Sequence, residues 1–400
     1  MMEAVQEDIV IVGGGIAGLT TSLGLHRLGI RSLILESSDG LRITGFALGT
    51  WTNAWKALDA LGLGDSLRAN HQRISGSVAN STTISFQAKG HEFRSLQRKL
   101  LLEALSNELP SGTIRFSSKV VSIEESGFYK LVHLADGTIL KTKVLIGCDG
   151  VNSVVAKWLG FKNPAFTGRC AIRACVDFKC SHGIGTKFKQ FFGRGCRSGF
   201  VPLDDTTVYW FFTWTPSSSS QEKEIEDNPA EMKRLVLSKL ENVPDEIRGI
   251  IENTNLDGII SSPLRYRHPW ELLWGNISKD NVCVAGDALH PMTPEIGQGG
   301  CAALEDGVVL ARCLAEALLK EPSGEKGDRE ECKRIEMGLN KYAKERRWRS
   351  IALISIAYMV GFIELGDGKM MYFLRDKVSA YIPGLKLKMA EFDCGKLSIS

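Results

Sequence analysis

The stretch DIVIVGGGIAGLTTSLGLHRLGIRSLILE, Asp8 to Glu36, constrains the fold more than any other part of the chain. DIVIV is a β-branched apolar run, GGGIAG a turn, Leu19 to Leu28 a helix and SLILE a second strand, together one βαβ unit. Gly13, Gly15 and Gly18 stand in the G-x-G-x-x-G spacing between strand and helix. In that spacing the first glycine permits a tight turn, the second lets a pyrophosphate approach the backbone, and the third lets helix and strand pack closely. The helix that begins there offers unpaired N–H groups and a favourable dipole to phosphate, so Ile16 and Ala17 of its first turn are candidate contacts too. Glu36 closes the second strand, where a carboxylate accepts hydrogen bonds from an adenosine ribose and disfavours a 2′-phosphate. The site therefore suits FAD or NAD better than NADP.

Two further buried strands end on acids: KVLIGCDG at Asp149 and NVCVAGD at Asp287. Between about Phe166 and Trp274 the texture changes to segments such as VYWFFTW, which read as an inserted, mostly antiparallel layer. The expected fold is α/β: a Rossmann-like domain with an inserted antiparallel β-sheet domain and a helical C-terminal region. Its expected segments are 1–75, 96–165 and 275–350 for the dinucleotide domain, 76–95 and 166–274 for the insert, and 351–400 for the closing helices. A length of 400 residues suits such a composite, being more than one core usually serves.

A formal charge of +3, with no aromatic-basic motif, argues against nucleic acid as a partner. Ten scattered cysteines suit reduced thiols, and Cys170, Cys175 and Cys180 near His182 are too far apart for a usual zinc site. The first strand begins so early that no leader is expected before it, and a cytoplasmic location follows. The apolar run Ile351 to Ile363 is shorter than the ~18 residues of a membrane span and reads as a buried helix. The basic KYAKERRWR before it leaves weak membrane-surface contact as the alternative.

Asp287, directly after its strand, is placed to bond ribityl hydroxyls of an FAD. Gly297, Gly299 and Gly300, stiffened by Pro291 and Pro294, then let the chain lie against a flat ring at the start of another helix. With GGGIAG and Glu36, LIGCDGVNS and GDALHPMTPEIGQGG in this order, the chain resembles the single-component FAD-dependent monooxygenases of the aromatic-hydroxylase type. The likeness extends to salicylate hydroxylases, flavin-dependent urate hydroxylases and zeaxanthin epoxidases. The resemblance implies a noncovalent FAD, NADH or NADPH as a transient reductant, and insertion of one atom of O2 into a small aromatic or unsaturated substrate through a flavin hydroperoxide. The same resemblance assigns Arg98, in QRKLLLEAL, to the flavin or pyrophosphate, the backbone near Val120 to adenine, and Asp149 and Pro294 to the cofactor. It also assigns Arg197 and Tyr209 to the substrate, a surface arginine and a core tyrosine being the plainer alternative.

One departure stands out: relatives carry an arginine three residues after the serine of the middle motif, where this chain has Ala156 and then Lys157. A flavin reductase or dehydrogenase, or a catalytically impaired flavin-binding interaction protein, are the alternative functions. No side chain is assigned as catalytic; His290 reads as a backbone-bonding histidine rather than a general base.

Overall fold

The computed structural model describes residues 5–42, 47–79, 82–85, 90–193, 195–216, 228–240, 243–319, 328–366, 368, 371, 373, 377–378 and 381–398. An eight-stranded sheet has Val5–Val12 at its centre. Leu33–Leu35 and Ile139–Gly147 flank that strand in parallel, Val282–Val284 lies parallel outside Ile139–Gly147, and Ile114–Arg115 lies parallel outside Leu33–Leu35. The hairpin Val120–Ser126 and Tyr129–Leu134 joins antiparallel through Ile139–Gly147. Val10, Ile11, Leu145 and Ile146 are wholly buried, as parallel strands covered on both faces require.

The helix after the glycine turn, Ile16–Arg27, packs against Gly299–Leu319 at backbone range. A Cβ at Gly307 would fall 2.4 Å from Thr20, and one at Gly24 would fall 2.7 Å from Ala311, so glycine permits the approach. This contact ties the first glycine turn to the second.

A second, seven-stranded sheet contains Gly76–Ala79, Thr82–Ser85 and the strands from Ala165 to Tyr266. It is antiparallel except where Lys187–Phe192 runs parallel to Gly76–Ala79. Trp210, Phe212 and Phe200 on one face form a separate core with Val236 and Ile250 from the helices Pro229–Lys239 and Asp245–Glu252. Val201, with Tyr209 and Phe188 packed beside it, belongs instead to the core of the dinucleotide domain, so the sheet is a wall between two interiors. Phe93–Gln97 pairs with Ala47–Trp51 rather than with this sheet, so residues 93–95 lie apart from the rest of the 76–95 segment.

The helix Asp328–Leu365 runs unbroken through residue 350, so the expected border at 351 falls inside a continuous helix. Leu353, Ala357 and Val360 pack with Ile296, Ala302 and Ile382, which gives the apolar run a core to bury against. Over the part Arg329–Leu365 the helix is long and apolar enough to cross a membrane, yet 50% of its most apolar window is buried within the protein.

Candidate active site

At the first glycine turn the residue types are dictated by contacts within the protein. Gly13 has φ +105°, and a Cβ there would sit 2.4 Å from the Cys148 carbonyl oxygen; a Cβ at Gly18 would sit 2.0 Å from that of Gly13. Gly15 differs, because a Cβ there would meet no protein atom within 4 Å. No side chain caps the helix it opens, so the amides of Ile16 and Ala17 at its first turn face an open approach. Glu36 lies at the end of the neighbouring strand, its carboxylate fixed by the Gly14 N–H at 2.7 Å and the Ser38 N–H at 2.9 Å. Val120 is buried, and the register slips between Val120 and Ser122, a bulge that loosens the backbone ladder there.

Asp149 also ends a parallel strand, but its carboxylate is committed locally. It accepts from Ser153 Oγ at 2.5 Å and from the Val154 N–H at 2.6 Å, and burial raises its pKa above the ordinary range despite those bonds. Ser153 in turn accepts from the Ala156 N–H at 2.8 Å, capping the short helix Val154–Trp158. Asp149 thus holds a turn and a helix start together at the end of its strand. Ala156 is buried in that helix, and its cation is the exposed Lys157.

The Ala285 N–H donates to the Gly147 carbonyl at 2.9 Å, setting the Asp287 turn beside the Asp149 turn. Asp287 opens to solvent in a cleft whose walls crowd its carboxylate; this crowding raises its pKa, opposed by His290 and Arg98. Arg98 begins the helix Arg98–Asn107, anchored by buried Leu101 and Leu105. Burial lowers the Arg98 pKa, Asp287 works against that fall, and Arg42 and Arg173 add to it. Arg98 and Asp287 therefore come together from remote parts of the sequence, with Arg42 and Arg173 close by, and Arg98 Nε is buried without a protein partner. Past Pro294–Ile296, Gly297 turns left-handed at φ +63°, and Gly299 opens its helix with no atom where a Cβ would stand. A Cβ at Gly300 would approach Leu48 to 3.2 Å.

Beneath this turn lies an ionic network that the sequence did not disclose. Asp306 accepts from His290 Nε2 at 2.6 Å, from the Gly286 N–H at 2.7 Å and from Arg346 Nε at 2.6 Å. Arg346 also pairs with Glu305 at 2.7 Å, as does Arg349 at 2.7 Å, and Asn53 donates to Glu305 and to Gln298. His290, Glu305, Asp306 and Arg346 are all 0% exposed. Burial would raise the Asp306 pKa, but His290 and Arg346 overcome it and hold the carboxyl at about 2. His290 is thus a strut of the turn. The available signal was two adjacent acids in a mostly apolar helix, CAALEDGVVLARCL.

The strands Cys196–Pro202 and Thr207–Trp214 form the expected hairpin, but Arg197 stands opposite Thr213 and Tyr209 opposite Val201. Both residues share one sheet face, separated by the Gly199–Phe211 pair. Arg197 is buried and spoken for: it pairs with Glu364 at 2.9 Å, donates to Gln190 at 2.7 Å and lies over the rings of Phe192 and Phe211. Burial pushes the Tyr209 hydroxyl up to about 12, leaving it a neutral phenol near pH 7. A cavity of about 530 Å³ lies away from the first glycine turn, between Trp214 of this sheet and Tyr358 and Phe362 of the long helix. It reaches the Pro294–Ile296 turn through the Arg169–Glu295 ion pair at 2.9 Å. Among the described residues no three His, Cys, Asp or Glu side chains gather to hold a metal.

The glycine turns fit a dinucleotide on the structure's own terms. Gly15 and Gly299 are open where a side chain would intrude, an uncapped helix end faces the approach, and Arg98 has an unsatisfied donor. The family model described as FAD binding domain matches residues 6–337. Monooxygenase 2 of Arabidopsis thaliana is 58% identical, the alignment covering 99% of this chain and 100% of that one. Monooxygenase 1 of the same plant is 37% identical over 97% of this chain and 99% of its own. The solved structure of Klebsiella pneumoniae HpxO complexed with FAD and uric acid superposes with a TM-score of 0.80 over 98% of both chains, at 20% identity.

Proposed function

Since this chain belongs to the FAD-dependent monooxygenases, we propose that it takes electrons from NADPH or NADH and places one atom of O2 on a small aromatic or unsaturated molecule. The observation that carries the reading is the meeting of two glycine turns, Arg98 and Asp287 around one cleft, the turns following two parallel strands that flank Ile139–Gly147. FAD, when bound, supplies hydride acceptance and the activation of O2.

The chain's own residues bind, orient and exclude water. The amides after Gly15 and the Arg98 guanidinium neutralise the pyrophosphate, Glu36 takes the adenosine ribose, and the backbone near Val120 takes the adenine. Asp287 receives ribityl hydroxyls, while Pro294, Gly297, Gly299 and Gly300 let the ring lie against the backbone at a helix N-terminus. That helix end stabilises negative charge by about 0.3–1 kcal/mol, rising to about 2 when partly buried, so it tunes the flavin without supplying the whole rate enhancement. Tyr209, kept protonated, orients substrate as a hydrogen-bond donor.

The decisive experiment purifies the protein, records its flavin absorbance, and mixes it without oxygen with NADPH or NADH while aromatic, purine and terpenoid compounds are screened for faster flavin bleaching. With O2 admitted, an effective compound gains one oxygen atom by mass analysis. A colourless protein, or O2 consumed only as hydrogen peroxide with every compound, overturns the reading.

A further inference from the structure

The insert strands Ala165–Asp177 and Cys196–Pro202, which flank Thr207–Trp214 on either side, carry three inward arginines, Arg169, Arg173 and Arg197. Two are matched by acids: Arg169 pairs with Glu295 at 2.9 Å and Arg197 with Glu364 at 2.9 Å, each pair closed off from water. Lys386 reaches Glu364 as well, at 3.3 Å, so the site expected to meet substrate is already filled from the C-terminal helices. Arg173 has no such partner. Among the described residues no carboxylate lies in ion-pair range of it; it donates to Ser262 Oγ, and its Nε is buried without an acceptor.

Its position makes this absence informative. Cys175 stands opposite Tyr209 and Arg173 opposite Phe211, so Arg173 shares the sheet face of Tyr209 and sits diagonally from it. That face looks toward the dinucleotide domain, and the Arg173 charge is felt at both Arg98 and Tyr209. Holding a half-buried guanidinium without a counterion beside two other cations is costly, and a ligand anion relieves the cost. A planar ring would lie along Phe211 with its acidic group on Arg173 and a hydroxyl or carbonyl oxygen accepting from Tyr209.

We propose that Arg173, and not Arg197, recognises the substrate, and that the substrate is an aromatic or conjugated molecule bearing a carboxylate or an equally acidic oxygen. The inference rests on the monooxygenase reading only in taking the cleft as the substrate site. It is tested by binding alone, so that its failure and a failure of oxygen transfer are separate results.

The FAD-loaded protein is titrated calorimetrically with 3-hydroxybenzoate and with its neutral methyl ester. The expected result is a preference for the acid of about tenfold or more, the range of a hydrogen bond to a charged group. Arg173→Gln removes the preference while flavin content and ester affinity hold, and Arg173→Lys restores part of it. The proposal is overturned if the unaltered protein binds the acid no better than the ester, or if Arg173→Gln keeps the preference. It is equally overturned if Arg173→Gln sheds flavin instead, or if Arg197→Gln is the change that abolishes discrimination.

Discussion

At Gly13 and Gly18 a Cβ would strike backbone oxygen at 2.4 and 2.0 Å, whereas across Gly297 to Gly300 nothing comes nearer than 3.2 Å. The first turn keeps its shape because any larger residue collides with the strand beside it. The second keeps its shape because Asp306 and Glu305, wholly buried, are clamped by His290, Arg346 and Arg349. One half of the cleft is thus built from local sterics and the other from charges gathered over the distance from Asn53 to Arg349. The difference predicts where each half breaks.

The largest effect belongs to the ionic half. Arg346→Met leaves Asp306 and Glu305 without their shared buried cation, and removing one partner of a buried pair costs about 3–5 kcal/mol. A chemical-denaturation midpoint that barely moves would show that the turn does not depend on the network. The acid response separates this mechanism from simple loss of packing. Asp306, lowered from 3.8 to about 2, contributes stability that is fully present above its unfolded pKa and is lost as pH falls through about 2. In Arg346→Met that depression shrinks, so denaturation begins at a higher pH than in the unaltered protein.

Next in size comes the steric half. Gly18→Ala puts a methyl group into the Gly13 carbonyl, where only backbone can yield, and overpacking of this kind costs about 1–3 kcal/mol. The cost should show no pH dependence between 2 and 4, in contrast to Arg346→Met. A pH-dependent loss in Gly18→Ala would mean that the two halves are mechanically one.

The same difference explains what could be read from the sequence. Gly13, Gly15, Gly18 and Glu36 lie within one βαβ unit, where spacing alone fixes their relation, and the three parallel strands were visible as apolar runs ending on chemistry. Arg98 meeting Asp287 was expected only in so far as each was assigned to one flavin; folding is what brings them together. Arg346, Arg349 and Asn53 carry no local mark, because a buried ion pair is a property of two distant positions. Arg197 and Arg173 show the limit most directly. Both are arginines on insert strands, and only the placement of Glu364, from the far end of the chain, tells the occupied one from the unmatched one.

The smallest expected change in stability is also the sharpest test of the comparison, because it asks whether all glycines of the first turn serve the fold. Gly15 has φ −85° and ψ −170°, a conformation open to any residue, and a Cβ there would touch no protein atom within 4 Å. Gly15→Ala should therefore shift stability by no more than about 0.5 kcal/mol, the usual range for a change that disturbs no contact. The methyl group would nevertheless stand in the approach to the amides of Ile16 and Ala17, the pyrophosphate contact proposed above. The expected outcome is an apoprotein with an unchanged denaturation curve and a holoprotein that releases FAD on dilution, followed by flavin fluorescence. If Gly15→Ala destabilises the apoprotein as much as Gly18→Ala does, then Gly15 too is a packing glycine. If both stability and FAD retention are untouched, the cofactor does not approach the backbone there.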